Sequence, residues 1–340
     1  MMRAVMCERQ GPPEEMKLVD LPDPVAGPGE AVVRLHACGL NHRDVWIRQG
    51  LYARIRLPCV LGSDGAGVVE SIAESMAGSG DAAWVGKRVV LNPCEKWGAD
   101  PAVQSKEFSI LGMPRQGTMA QKIAVPVSML VEMPAGMSFN DAAALPVAGL
   151  TAYRALVSRG GIKGGEHVLV TGIGGGVATQ AMLFAQALGA KVSVTSGSEE
   201  KLAKARALGA VAAVSYKSDG WEKELVKQAG SAPTLIIDGA GGDGINLLIA
   251  AAAPAARIVL YGATRRSPSS LDMAKIFFKQ IDLKGTTMGT DDEFRAMIDL
   301  AGRAKLKPVI DKVFPLEQAV EANRLLEASE QMGKILLDCA

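Results

Sequence analysis

The 340-residue chain has no excess charge of either sign: 37 Lys and Arg stand against 36 Asp and Glu, a formal net charge of +1 at pH 7. That balance argues against a chain built to bind polyanions, and no basic stripe suited to nucleic acid runs along it. Long apolar runs are missing too. The longest, such as Leu247–Ala253, are short and alanine-rich, well below a membrane span, so no membrane partner is expected. The five cysteines, Cys7, Cys38, Cys59, Cys94 and Cys339, are scattered without a paired framework. They read as reduced thiols in a cytoplasmic protein. The first residues, Met1-Met-Arg-Ala-Val-Met-Cys7, contain no long apolar h-region, and no signal peptide is expected. No internal repeat or low-complexity tract stands out. What remains is an ordinary globular composition, 48% hydrophobic and 21% charged, on a chain long enough for two domains.

The most informative stretch is Val168-Leu-Val-Thr-Gly172-Ile-Gly-Gly175-Gly176-Val177-Ala178. A short apolar run stops at a glycine cluster and passes into helical spacing at Val177, Ala181, Phe184, Ala185 and Leu188, closed by Gly189. Strand, tight turn and helix N-terminus form the geometry that holds a dinucleotide pyrophosphate. Gly172, Gly175, Gly176 and Val177 are the candidate contacts. Ala178 stands where a third glycine is usual, a replacement that such fingerprints tolerate. Further apolar runs at Lys191–Thr195, Val211–Val214, Leu235–Ile237, Ile258–Leu260 and Ile281–Gly285 alternate with helical stretches. The pattern predicts an α/β unit with a parallel, doubly wound sheet.

Ribose discrimination in such a unit lies at the end of the second strand, about twenty residues past the glycine turn. An NAD site carries Asp or Glu there. This chain has Ser196-Gly-Ser198-Glu-Glu-Lys201 instead. Ser196 and Ser198 supply hydroxyls and Lys201 a positive charge, so NADPH is the expected cofactor and NADH the weaker one. Glu199 and Glu200 read as dipole-complementing residues at a helix start. No arginine is read at this position. Gly262, in Tyr261-Gly-Ala-Thr264, ends a later strand on the ligand side of the sheet, where small residues let a nicotinamide ribose approach the backbone.

The part before about residue 124 reads as β-rich, with alternation in Val32–Cys38 and short strands at Gly65–Val69 and Arg88–Leu91. A helix is expected from Asp141 through Leu156. Asp291 reads as the N-cap of a helix through Ala304. A strand near Val309–Val313, a helix after Pro315 and a last strand Lys334–Leu337 follow. This tail lies outside the six-strand count and is expected to return to the first domain, giving residues 1–130 with 288–340 and an inserted nucleotide unit at 131–287.

With these segments in view, the chain resembles the medium-chain dehydrogenases/reductases over essentially its whole length. Pro28–Val33, Cys38-Gly-Leu-Asn41-His-Arg-Asp44, Leu61-Gly-Ser-Asp-Gly-Ala-Gly67, Leu145-Pro-Val-Ala-Gly-Leu-Thr151, the glycine turn, Asp238-Gly-Ala-Gly-Gly and Phe278-Lys-Gln carry the likeness. It implies a GroES-like β domain joined to a Rossmann domain, with the active site in the cleft between. The family's zinc enzymes carry ligands at positions aligned with Asn41, Ser63 and the neighbourhood of Val147–Ala148, none of which supplies a thiolate or imidazole. The lobe that holds four structural-zinc cysteines maps onto Asn92–Phe108, where Cys94 alone remains. No metal site is expected. A rearranged site from His36, Cys38, His42, Cys59 and Asp64 is the competing reading.

The resemblance then points to the zinc-free, quinone-reductase-like branch, through Asn41, Asp44, Tyr52 and Ser63. That implies hydride transfer from NADPH to a quinone, enone or other activated carbonyl, with Asn41, Asp44 and Tyr52 as catalytic candidates. Asn41 stands as a hydrogen-bond donor to the carbonyl or as a turn cap. Tyr52 and His42 are the two candidate proton sources. Asp44 stands as an orienting group or a partner of Arg43. Trp46 and Tyr52 line a flat slot or belong to the core. The family also places cofactor contacts at Thr151, at Tyr216 beside a 2′-phosphate, and at Lys334 near the pyrophosphate. Relatives pair the edge strand at Gln280–Gly289 across a two-fold axis, so a homodimer is expected. The other functional classes are an alcohol or aldehyde dehydrogenase and a non-catalytic NADPH-binding protein.

Overall fold

Short β-branched runs between glycines and prolines build the first part of the chain as strands. In the computed structural model, which describes residues 1–73 and 83–340, these are β1 (Met2–Cys7), β2 (Met16–Leu21), β3 (Glu30–Gly39), β4 (Cys59–Val60), β5 (Asp64–Ile72), β6 (Arg88–Leu91), β7 (Cys94–Glu95), β8 (Ser109–Ile110), β9 (Lys122–Pro126) and β10 (Leu130–Glu132). Two short helices sit among them, α1 (His42–Arg48) and α2 (Phe139–Ala143). β2, β1 and β4 form one small sheet; β10, β6, β5 and β3 are neighbours in a larger one, with β9 also paired to β3. Side chains alternate along β3, so Val33 and Leu35 join Ile47, Leu61, Leu91 and Leu130 in a shared core.

The second unit begins inside α3 (Pro146–Arg154), at Gly149, and runs to Met288. Its elements are β11 (His167–Val170), α4 (Gly176–Ala187), β12 (Lys191–Ser196), α5 (Glu199–Ala207), β13 (Ala212–Ser215), α6 (Trp221–Ala229), β14 (Leu235–Asp238), α7 (Ile245–Ala251), β15 (Arg257–Leu260), α8 (Met273–Lys279) and β16 (Asp282–Gly285). All pairings are parallel, in the order β13-β12-β11-β14-β15-β16. This is the six-strand dinucleotide-binding arrangement, in which the strand order reverses beside β11. Gly189 follows the end of α4 at φ 81°, a left-handed conformation that suits glycine.

The chain then returns to the first unit through α9 (Asp291–Arg303), β17 (Ile310–Pro315), α10 (Ala319–Ala328) and β18 (Lys334–Asp338). β18 lies antiparallel to β3, Leu336 opposite Gly39, and parallel to β17. The tail therefore extends the larger sheet of the first unit past β3.

Several boundaries differ from the sequence reading. The first unit extends to Ala148 rather than 130, because β10 pairs with β6 and α2 packs on β3 and β5. The helix expected over 141–156 is α2, α3 and a five-residue π segment, Ala155–Arg159. Thr290, not Asp291, caps α9: its hydroxyl accepts from Glu293 N–H at 3.1 Å, and the Glu293 carboxylate accepts from Thr290 N–H at 2.7 Å. This reciprocal capping box leaves Asp291 inside the first turn. The strand read over Gln280–Gly289 is confined to Asp282–Gly285, since Gln280 adopts φ 54° as the cap of α8. No helix among the described residues is long and apolar enough to cross a membrane.

Candidate functional site

β3 ends between β5 and β18, and this fixes the polar centre of the first unit. Asn41 follows the end of β3 by two residues, Asp64 opens β5 and Lys334 opens β18. Gly39 lets the elements close up: a Cβ there would lie 2.6 Å from the Ala143 carbonyl oxygen and 3.0 Å from the Asp64 side chain. Asn41 then takes extended angles as the N-cap of α1, and Asp44, three residues on, accepts its N–H at 2.9 Å.

The side chains converge on a closed network. Lys334 Nζ donates to Leu40 O at 2.5 Å, Asn41 Oδ1 at 2.7 Å and Asp64 Oδ2 at 2.8 Å. Asn41 Nδ2 donates to Asp64 Oδ2 at 2.9 Å and, at a long 3.5 Å, to Gly39 O. Asp64 Oδ1 accepts Val147 N–H at 2.8 Å. Lys334 is 3% exposed, Asp64 0% and Asn41 9%. Arg43, also buried, donates to Ser63 Oγ at 2.6 Å and Leu111 O at 2.7 Å, with Asp44 3.9 Å away.

Asp44 is fully buried, and burial raises its carboxyl above the usual range. It accepts the N–H groups of Asn41 and, at 3.3 Å, Gly62. Tyr52 is half-buried with the Arg43 guanidinium 5.2 Å from its ring centre, so the three catalytic candidates fall in one neighbourhood. His42 sits 6.1 Å from Trp46, ring to ring; burial first, then the Lys334 charge, hold its pKa below the ordinary value. Trp46 is partly exposed rather than a core residue.

Lys334 is held within the first unit. An ammonium has three protons, and here each has a protein acceptor, which leaves none for a pyrophosphate.

Zinc does not fit this donor set. Asn41 Oδ1 is taken by Lys334, and Ser63 Oγ accepts from Arg43 and donates to Leu111 O at 2.8 Å. Among the described residues no group of three or more His, Cys, Asp or Glu is placed to hold a metal ion. Cys38 and Cys94 are wholly buried, with thiols pushed up by that burial. Cys59 and His36 do not join them in a ligand cluster.

The second unit carries the nucleotide geometry. Gly172 adopts φ 64°, and a Cβ at Gly172 or Gly175 would meet nothing within 4 Å, so the turn leaves an open cradle ahead of Gly176 and Val177 at the start of α4. A dinucleotide fits that cradle. The Lys201 side chain reaches back over the turn, its Nζ 3.2 Å from where a Gly174 Cβ would be. Ser196 and Ser198 accept N–H bonds from Ser198 and Lys201 at the start of α5. At Gly197, a Cβ would lie 2.6 Å from the Tyr216 hydroxyl and 2.9 Å from the Lys217 side chain, so both lean over the end of β12. Tyr216 is covered in turn by Arg265, whose guanidinium carbon is 4.8 Å from the ring centre. The sequence reading missed Arg265 and Lys217. The signal for Arg265 was the loop after β15, Tyr261-Gly-Ala-Thr-Arg265-Arg266. Gly262 abuts Gly239 O at the strand ends, and Thr151 is buried beside Met288.

Comparison with known proteins agrees with this fold. Residues 27–135 match the alcohol dehydrogenase GroES-like domain and residues 176–303 the zinc-binding dehydrogenase domain. A zinc-type alcohol dehydrogenase-like protein YogA of Leptosphaeria maculans is 37% identical, covering 96% of this chain and 94% of that protein. The chain belongs to the medium-chain dehydrogenase/reductase superfamily. An acryloyl-coenzyme A reductase of Sulfurisphaera tokodaii is 30% identical over 96% of this chain and 97% of its own. A solved NAD-dependent alcohol dehydrogenase superposes with a TM-score of 0.91 at 36% identity, each chain covered completely. This medium-chain enzyme is thus an oxidoreductase that works with a nicotinamide cofactor.

Proposed function

We propose that the enzyme reduces a conjugated acceptor, a quinone, an enone or a related activated carbonyl, with NADPH and without zinc. The observation that carries this reading is the Asn41 amide, held between Lys334 and Asp64 where a metal ligand would otherwise stand. A saturated carbonyl concentrates charge on one oxygen as hydride arrives, and a Lewis acid serves it best. A conjugated acceptor spreads that charge, and an oriented neutral donor suffices. Asn41 Nδ2 is that donor: its bond to Gly39 O is long and exchangeable for a substrate oxygen. When bound, the nicotinamide supplies the hydride. Tyr52 and His42 are the neighbouring groups for the proton, and the depressed pKa of His42 makes it the poorer source.

NADPH is favoured by the cluster of Lys201, Tyr216, Lys217 and Arg265 around the end of β12, with no carboxylate from that strand end to repel a 2′-phosphate. The name of the acryloyl-coenzyme A reductase denotes a conjugated acceptor, which supports the reading. The names of the other two relatives support an alcohol or aldehyde substrate instead. One assay separates these: NADPH consumption with a panel of quinones and enones against saturated aldehydes, on chelator-treated enzyme. Turnover confined to the conjugated acceptors and unchanged by chelation is the expected result. Turnover of saturated aldehydes that is lost with stoichiometric zinc overturns it.

A further inference from the structure

We infer that Lys334 is the resident cation of this site, a positioning residue that holds Asn41 in one amide orientation and neutralises Asp64 in place of a metal. The inference rests on the reading of Asn41 as donor to the acceptor. An asparagine amide has two nearly isosteric orientations, chosen by its partners. Here the choice is forced: turning the amide over would set its NH2 against the Lys334 ammonium and its oxygen against the Asp64 carboxylate. One orientation survives, with Oδ1 toward Lys334, one Nδ2 proton on Asp64 and the other directed at the distant Gly39 O.

The charges close as well. Two buried carboxylates, Asp44 and Asp64, face two buried cations, Arg43 and Lys334. A divalent ion entering here would have to displace an ammonium that already holds the amide, carboxylate and main-chain oxygens. A buried lysine with three acceptors and a fully buried counter-ion costs desolvation, which its partners must offset. Its role as the partner that holds the amide oxygen, with Asp64 on the amide nitrogen, explains that placement.

The experiment uses Lys334→Met and Lys334→Arg in the full-length enzyme, with NADPH affinity measured separately by fluorescence. Lys334→Met is expected to lower kcat at saturating NADPH and acceptor about a hundredfold while the NADPH Kd stays within about threefold, the scale of losing one oriented oxyanion donor. Its residual activity should rise on acidification, because removing the ammonium leaves the buried Asp64 carboxylate without its counter-charge. Lys334→Arg keeps the charge and should recover much of kcat without that acid limb. Among the charged and titratable groups of this network, Asp44 and Cys38 interact with Asp64, Arg43 with Asp44, and His42 with Lys334. Of these, His42 loses the Lys334 repulsion in the variant, so the profile is repeated in His42→Gln.

An NADPH Kd raised tenfold with kcat intact would make Lys334 a pyrophosphate ligand and overturn the inference. Equal, pH-independent losses in both variants would reduce it to packing. If Lys334→Met does not fold, the double variant Asp64→Asn with Lys334→Met removes both charges. It should be stable yet slow, and wild-type kcat there would sink the idea. If the wild type reduces no conjugated acceptor, the functional reading fails by itself. The inference is then judged by thermal melting: Lys334→Met should melt well below Lys334→Arg, because it leaves the buried Asp64 carboxylate without its counter-charge, and equal melting of the two variants refutes it.

Discussion

At the scale of single residues, the cofactor pocket gives the sharpest expectation. Lys201 lies over the glycine turn, while Lys217 and Arg265 reach the end of β12 from separate loops, with Tyr216 between them. Three cations, Lys201 from α5 and the other two from loops, stand about the glycine turn and Tyr216 where the sequence reading counted only lysine. Lys201→Ala and Arg265→Ala should each weaken NADPH by about one to two decades, the value of a charge-assisted contact of roughly 1.5–3 kcal/mol, and leave NADH nearly unchanged. Equal dissociation constants for both cofactors in the unmutated enzyme would refute the pocket. Lys201 was legible because strand order fixes how far past the turn the ribose lies. Arg265 was not, since it reaches Tyr216 across a long loop that periodicity does not describe. Lys334 was found as a charge, but its bonds to Asn41 and Asp64 were not legible, because only the tertiary pairing of β18 with β3 brings it there.

The histidines add a pH dependence whose sign is fixed. His36, His42 and His167 are all three histidines of the chain, and burial lowers the pKa of each. His36 stacks on Phe139 at 4.2 Å, and His167 shares hydrogen bonds with Ser193 at 2.7 Å and Ser231 at 3.3 Å. Below about pH 6.5 the unfolded chain takes up protons that the folded one refuses, so stability falls as pH falls through that window. Melting temperature measured from about pH 7.5 to pH 5 should decline, and His167→Gln should flatten the decline. A melting temperature that rises on acidification contradicts the assignment.

At the scale of elements, capping was where sequence and structure parted most instructively. Asp291 and Thr290 are both credible N-caps by composition, and only backbone angles decide. Thr290 adopts φ −79°, ψ 168° and exchanges bonds with Glu293, so the helix begins one residue later than its cap. Thr290→Ala should cost about 1 kcal/mol and lower the melting temperature by roughly 2–4 °C. Asp292→Ala, an exposed first-turn change, should cost less than half of that through the helix dipole alone. If the two variants melt alike, the capping box does not contribute as its geometry requires. The parallel strands and their glycine turn were read nearly to the residue because a buried strand is a short apolar run with abrupt polar ends. Helix α3 was read less well: the interruptions before Pro146 and at Ala155–Arg159 change backbone hydrogen bonding without changing apolar spacing.

At the scale of the whole molecule, the open edge of the six-stranded sheet sets the last expectation. β16 pairs with β15 on one side only. The N–H groups of Asp282 and Thr286 donate toward β15, to Ala256 and Leu260, so those of Leu283 and Gly285, on the alternate positions, face outward. Beside this edge, α8 exposes Phe277 at 63% and Phe278 at 79%, their ring centres 4.5 Å apart, with Met273 and Leu283 also exposed. An unpaired strand flanked by exposed aromatics is a liability that pairing with a second copy removes. A two-fold axis through β16 would extend the sheet from one subunit into the next by an isologous contact. The expected assembly is a homodimer, with twice the 35.5 kDa chain mass by light scattering at micromolar concentration. Leu283→Pro removes an outward N–H while leaving the bonds of Asp282 and Thr286 to β15 in place. It should therefore give a folded monomer with the NADPH affinity of the parent. A monomeric wild type, or a Leu283→Pro variant that remains dimeric, would place the contact elsewhere or abolish it.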